Sequence, residues 1–271
     1  MPKTDDWAPV EAPTDKPNSA RYYDYLLGGF HNFAVDRNLG DLVIKACPDI
    51  RLGALANRAF LRRAVKFLSR EGLDQFLDIG SGIPTSGNVH EVAQKVNPSA
   101  RVGYVDIDPI AVIHSQAILK NNQNAAIIQE DIRNIEKILE HPSFTKLIDL
   151  HRPLGVLMLS VLHFVLEEEK LQSILRVLHG SLAPGSYIVI SHYSLEGAPA
   201  ETIAQLDRLG ASAASPSVSR TQVETSRLFA GFELVEPGVV YGPLWHPESP
   251  EDLLLHQPER SLAFVGVGRK Q

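Results

Sequence analysis

Cysteine is nearly absent: Cys47 is the single one in 271 residues, so no internal disulfide can form and no structural zinc site of the usual cysteine-rich kind can be built. Excess positive charge is also missing. With 26 basic against 32 acidic side chains and a net charge of −6, no block of Lys and Arg is present to neutralise a phosphate backbone, and nucleic acid is not expected as a partner. Long apolar runs are lacking as well. The stretch Val156 to Leu166 is broken by Ser160 and His163 and falls short of the ~20 residues that a membrane helix needs. The start, Met1 to Asn18, carries Pro2, Pro9, Pro13 and Pro17 in place of a basic segment followed by an apolar one, so it reads as a flexible arm and not as a secretory signal. A cytoplasmic protein is the expectation. The histidines show no metal-ligand spacing, and no metal is expected.

What is present is an ordinary globular composition, 44% hydrophobic and 21% charged, enough to bury one large core. After the arm, residues 19–72 read as a helical cap. Tyr22, Tyr23, Tyr25, Leu26 and Leu27 form an apolar-aromatic cluster stopped by Gly28 and Gly29, a helical pattern resumes over Asn32 to Ala46, and Leu52 to Arg70 repeats apolar residues at helical spacing up to Gly72. Arg58, Arg62 and Lys66 share another face of that last helix, which reads as a solvated row. From residue 73 to 271 short apolar runs alternate with amphipathic stretches, the pattern of βα units and a parallel sheet. The strand candidates are Gln75 to Ile79, Arg101 to Val105, Ala125 to Gln129, Leu154 to Leu159 and Tyr187 to Ser191, with shorter ones at Phe232 to Val235, Val239 to Tyr241 and Leu262 to Val267. Helices are expected over Asn88 to Val96, Pro109 to Leu119, Ile132 to Glu140, Glu167 to Leu182, Ala200 to Gly210 and Thr221 to Ala230.

Three strand ends carry the chemistry. Phe76-Leu77-Asp78-Ile79-Gly80-Ser81-Gly82 runs a buried strand into a glycine turn with an acid two residues ahead of it, and the glycines let backbone approach a ligand at the carboxyl edge of the sheet. A dinucleotide fingerprint would place a third glycine where Thr85 stands, and an apolar residue at Asp78. A carboxylate repels a pyrophosphate but attracts a ligand that bears an ammonium and a sulfonium, so the sign of charge favours S-adenosylmethionine over NAD. At the end of the next strand, Tyr104-Val105-Asp106-Ile107-Asp108-Pro109 offers Asp106 to the two ribose hydroxyls and Asp108 as a cap for the helix that starts at Pro109. In Gln129-Glu130-Asp131-Ile132, Asp131 is again placed just past a strand, where it could bind the adenine amino group.

These segments resemble the motifs of class I S-adenosylmethionine-dependent methyltransferases over Leu73 to Ser191. A resemblance over nearly the whole chain is carried by RYYDYLLGGFHNF (Arg21 to Phe33), ANRAFLRR (Ala56 to Arg63), FLDIGSGIPTSGNVHEVAQ and VLHFV, which look like an actinobacterial family of S-adenosyl methyltransferases formerly catalogued as a domain of unknown function. The resemblance implies an α/β Rossmann-like fold with a mostly parallel seven-stranded sheet and helices on both faces. It implies the cofactor S-adenosyl-L-methionine over Gly80, Ser81 and Gly82, with Asp106 and Ile107 at the ribose side and Asp131 with Ile132 at the adenine. Ser160, at the end of the fourth strand, is expected as a cofactor contact and His163 as a lining residue or base. Tyr25, Gly28 and Arg58 are expected in a lid, the Arg toward a carboxylate. His192 and Tyr193 read as a surface loop after the fifth strand or as substrate-side residues. The expected reaction is direct methyl transfer to a small molecule. The alternatives are a regulatory protein that binds the same ligand without turnover and, on the shared sheet and the ribose acid, an NAD-dependent oxidoreductase.

Overall fold

The structure, a computed structural model, describes residues 15–84, 87–211 and 216–271. The expected arm therefore lies outside the described residues over 1–14, as does Thr85. The first described helices are α1 (Ser19–Leu26), α2 (Ala34–Ala46) and α3 (Ile50–Arg70), and βα alternation follows: β1 (Gln75–Ile79), α4 (Val89–Val96), β2 (Arg101–Asp106), α5 (Pro109–Leu119), β3 (Ala125–Gln129), α6 (Ile135–Leu139), α7 (Pro142–Thr145), β4 (Gly155–Leu159), α8 (Glu168–Ser181), β5 (Tyr187–Tyr193), α9 (Ala200–Ala211), α10 (Gln222–Arg227), β6 (Glu233–Leu234), β7 (Val240–Tyr241) and β8 (Ala263–Arg269).

The sheet runs β3-β2-β1-β4-β5-β8-β6, with β7 also paired to β8. The first five strands are parallel and β8 is antiparallel to β5. Because β6 pairs with residues 268–269 of β8 and β7 with residues 264–265, these two short pieces share one edge position, and the sheet is seven strands wide. The order reverses between β1 and β4. Neighbouring βα units lead away in opposite directions there and leave a crevice at the carboxyl ends of the strands, the place where open α/β sheets take ligands.

Side chains alternate across each strand, which splits the core in two. Leu77, Ile79, Val105, Val156 and Met158 pack with α8 on one face, while Phe76, Val102, Tyr104 and Leu157 pack on the other with Phe60, Leu61, Ala64, Val65 and Leu68 of α3. The same period puts Asp78 and Asp106 on the α3 face, at the strand ends. The termini follow the local signals. Asp108 accepts from Ile110 N at 2.9 Å ahead of Pro109, Asn18 caps α1, and Thr221 and Glu224 form a capping box on α10.

Two expectations need correction. The helix expected over Ile132 to Glu140 is a 3₁₀ turn, Ile132–Asn134, followed by α6. Asp131 accepts from Arg133 N at 2.9 Å and tightens the first turn. The fifth strand also runs on to Tyr193, since β8 pairs with it through Ala263. His192 therefore lies in the sheet, fully buried, and not on a surface loop. Among the described residues no helix is long and apolar enough to cross a membrane.

Candidate functional site

The turn after β1 is built for close approach of a ligand. Gly80 and Gly82 have φ of +75° and +67°, a conformation that side chains resist, and a β-carbon on Gly80 would lie 2.5 Å from the side chain of Val161. Gly80 N and Ser81 N both donate to Val105 O, at 2.8 and 3.1 Å, which folds the turn over the end of β2. Gly82 N donates to Asp106 Oδ2 at 2.6 Å, and Asp108 N to Asp106 Oδ1 at 2.9 Å. Asp106 is thus the strut between the glycine turn and the start of α5.

Asp78 and Asp106 are both buried. Burial raises Asp78 to about 7, with nearby Arg58 opposing the rise and Asp106 adding to it. Asp106 is raised to about 6 by burial, in spite of the two amide donors. Two carboxyl groups with depressed acidity at one crevice favour a cation. Asp78, Ser81 and Gly82 line a recess that continues to Asn88, His90 and Tyr104, and the buried Ser81 hydroxyl has no hydrogen-bond partner among the described residues.

The remaining expected residues fall in different places. Ile107 stands out from the surface, 55% exposed. Asp131 caps the following turn and pairs with Arg133 at 3.3 Å, while the side chain of Ile132 is packed in the core. Arg58 donates to Gly87 O and Asn88 Oδ1, at 3.2 and 3.3 Å, so this member of the basic row leans over the loop before α4. Lys66 pairs with Glu248 at 2.9 Å. Gly28, in the αL region, ends α1. Tyr25 turns away from the glycine turn: its ring packs on Gly40 and under Arg51, and its hydroxyl donates to Asp41 at 2.6 Å. Tyr23 reaches inward. Asn57 Nδ2 donates to Tyr23 Oη and to Ser160 Oγ, both at 3.0 Å, so three elements meet at the end of β4. Ser160 itself, at φ 52°, donates its N–H to Ser191 O at 3.0 Å.

His163 sits in the 3₁₀ turn Leu162–Phe164. It is buried and its Nδ1 has no partner among the described residues. Its ring lies 4.1 Å from that of Phe164, 5.8 Å from His192 and 6.1 Å from Tyr193. Burial, then His192 and Arg220, hold its pKa well below the usual histidine range. His192 Nε2 is 2.7 Å from Arg220 Nη1, and its Nδ1 is 2.8 Å from Tyr193 O. Arg220 can only donate, so His192 Nε2 accepts, and His192 is the neutral Nδ1–H form. Sequence reasoning missed Tyr23, Asn57 and Arg220. Asn57 lay inside the ANRAFLRR segment but carried no motif of its own. Among the described residues no group of three or more His, Cys, Asp or Glu could hold a metal ion.

The residues fit S-adenosylmethionine on chemical grounds. Carboxyl groups await its cationic centres, a glycine turn admits backbone contact, and buried polar atoms stand without partners. Comparison with known proteins agrees. No curated protein matches the chain. The crystal structure of a presumed methyltransferase from Thermobifida fusca YX is similar over 98% of this chain and 100% of that one, at 42% identity and a TM-score of 0.92. That of a DUF574 family protein from Streptomyces avermitilis is similar over 95% of this chain and 99% of that one, at 37% identity and a TM-score of 0.89. Residues 5–271 match the S-adenosyl methyltransferase family, which sets the oxidoreductase alternative aside: the chain belongs to that family, and S-adenosyl-L-methionine is its cofactor.

Proposed function

We propose that the enzyme transfers the methyl group directly to a small-molecule nucleophile, with the cofactor held across the ends of β1, β2 and β3. In this reading Gly80, Ser81 and Gly82 cradle it, Asp106 and Ile107 take the ribose side, Asp131 and Ile132 the adenine edge, and Asp78, Ser160 and Arg58 the methionyl end. Tyr25 has no part in it, and α1 and α2 form the cap. One observation carries the reading: Asp78 and Asp106, two buried acids on the same face of adjacent strands, flank a left-handed glycine turn at the point where strand order reverses. When bound, the cofactor supplies an electrophilic methyl group on a sulfonium whose thioether leaves without protonation.

The chain's own contribution is alignment and exclusion of water. His163 supports an acceptor site beyond Ser160, because its unpartnered Nδ1 is available for a hydrogen bond to the nucleophile. A histidine held uncharged by burial and by the neighbouring Arg220 is a poor store for a proton, so its role is to orient the acceptor and not to act as a strong base. Tyr193 beside it, and Tyr22 from α1, have hydroxyls pushed up by burial and so stay protonated.

The test is calorimetric titration with S-adenosylmethionine, S-adenosylhomocysteine and NAD, repeated on Asp106→Ala. The first two bind the wild-type protein and lose at least ~10-fold in affinity in the variant, the worth of one to two charge-assisted hydrogen bonds. Binding of NAD alone would overturn the reading.

A further inference from the structure

Asn57 is 8% exposed, and the orientation of its amide is set by its partners. Tyr23 Oη donates its single hydrogen to Ala54 O at 3.1 Å, so toward Asn57, 3.0 Å away, it can only accept. The amide nitrogen must therefore face Tyr23, and the same nitrogen donates to Ser160 Oγ. The remaining atom, Asn57 Oδ1, is buried with no hydrogen-bond partner among the described residues. An acceptor buried this way inside a satisfied network is unusual in a native fold. It lies beside the end of β4, where Val161, two residues past the strand, abuts the Gly80 turn. Asn57 and Arg58 thus straddle that turn: Asn57 reaches the β4 side through Ser160, and Arg58 reaches the α4 side through Gly87 and Asn88.

The unpaired oxygen calls for a donor. On the cofactor the donors are the adenine amino group, the ribose hydroxyls and the methionyl ammonium. Adenine and ribose belong with the acids at the ends of β2 and β3, on the far side of β1 from β4. The part that reaches β4 is the methionyl end, whose one donor is the ammonium.

We propose that Asn57 is a cofactor-binding residue whose Oδ1 accepts a hydrogen bond from the methionyl ammonium, and that its Nδ2 ties that contact to α1 through Tyr23. The inference rests on the cofactor orientation given under Proposed function. It gives α1 a functional link to the cofactor: Tyr23 and Asn57 fix each other, and a bound ammonium completes the network.

The experiment compares S-adenosylhomocysteine with 5′-methylthioadenosine, which keeps the nucleoside and thioether but has no amino-acid end, on wild-type protein and on Asn57→Ala, by calorimetry. Asn57→Ala is expected to bind S-adenosylhomocysteine at least ~10-fold more weakly and methylthioadenosine within ~2-fold of wild type. A loss of the same size for both ligands, or for neither, overturns the assignment. Should Asn57→Ala fail to fold, Asp78→Ala protein, which has lost the other acceptor at the methionyl end, answers with S-adenosylhomocysteine that lacks its amino group: at least ~10-fold weaker binding than of S-adenosylhomocysteine itself is expected, and equal binding overturns the proposal. Absence of any binding of S-adenosylhomocysteine to the wild-type protein would strike the cofactor orientation itself, and is distinct from a ligand-bound wild type that ignores Asn57.

Discussion

Asp78 is the residue where stability and function pull apart. Its carboxyl is buried, among the described residues no hydrogen bond supports its charge, and it titrates near 7 against an ordinary 3.8. Between those two values the folded apo chain holds a proton that the unfolded chain has released, so the stability this group contributes is fully present below about 3.8 and is lost as pH rises through about 7. A cationic ligand reverses the preference by favouring the ionised form. Affinity for S-adenosylmethionine should accordingly rise about 10-fold from pH 5.5 to pH 7 as the carboxyl ionises, with proton release measurable by calorimetry in buffers of different ionisation enthalpy. Asp78→Asn should raise the melting temperature of the apo protein at pH 8 by roughly 3–6 °C, weaken the ligand and reduce the pH dependence to the part that Asp106 carries. A variant that is less stable at pH 8, or that keeps the full pH profile, would place the titrating group elsewhere.

At the scale of elements, the cap is held by a buried acid and a buried base. Asp36, at the start of α2, accepts from Asn18 N, Phe33 N and Arg21 Nε, at 2.9, 2.8 and 2.9 Å, and Arg21 and Asp36 are 1% and 0% exposed. Removing one partner of such a pair strands the other in a low dielectric. Asp36→Ala should cost about 3 kcal/mol, less than the full penalty because Arg21 keeps Lys16 O at 2.7 Å and a longer contact to Asp108 at 3.9 Å. Hydrogen exchange should show loss of protection in Ser19–Leu26 while β1 stays protected, and uniform loss across both would mean that the cap is not a separable layer. The helical and strand periods of most of these elements are legible in the sequence, because β1 to β5 are short apolar runs bounded by turn residues and several helices, α1, α5 and α10 among them, carry side-chain caps. The glycine turn and the strand-end acids are legible for the same reason, being local in the chain. Tyr23, Asn57 and Arg220 are not. Their roles come from contacts with Ser160 and His192, distant in sequence, which only the closed fold creates. His192 reads as loop because its burial depends on pairing with β8, which arrives late in the chain.

For the molecule as a whole, the crevice between β1 and β4 is a place where folding is left incomplete. Buried polar atoms on Asn57, Ser81 and His163 have no partners among the described residues, and two acids are held partly protonated. A ligand that satisfies these groups binds only the folded chain, so it must stabilise the whole fold by mass action. At a hundred times its dissociation constant the gain is about 2.7 kcal/mol, or roughly 5–10 °C in melting temperature for a chain of this size. S-adenosylhomocysteine should give this shift at pH 7.5, Asn57→Ala should need a proportionally higher concentration to reach it, and NAD should give none. The shift should also shrink at pH 5.5, where Asp78 is protonated and the crevice no longer presents its charge. Equal shifts at both pH values would show that the ligand is recognised by shape and backbone alone, and that the two acids act on the architecture of the glycine turn and not on the charge of what it binds.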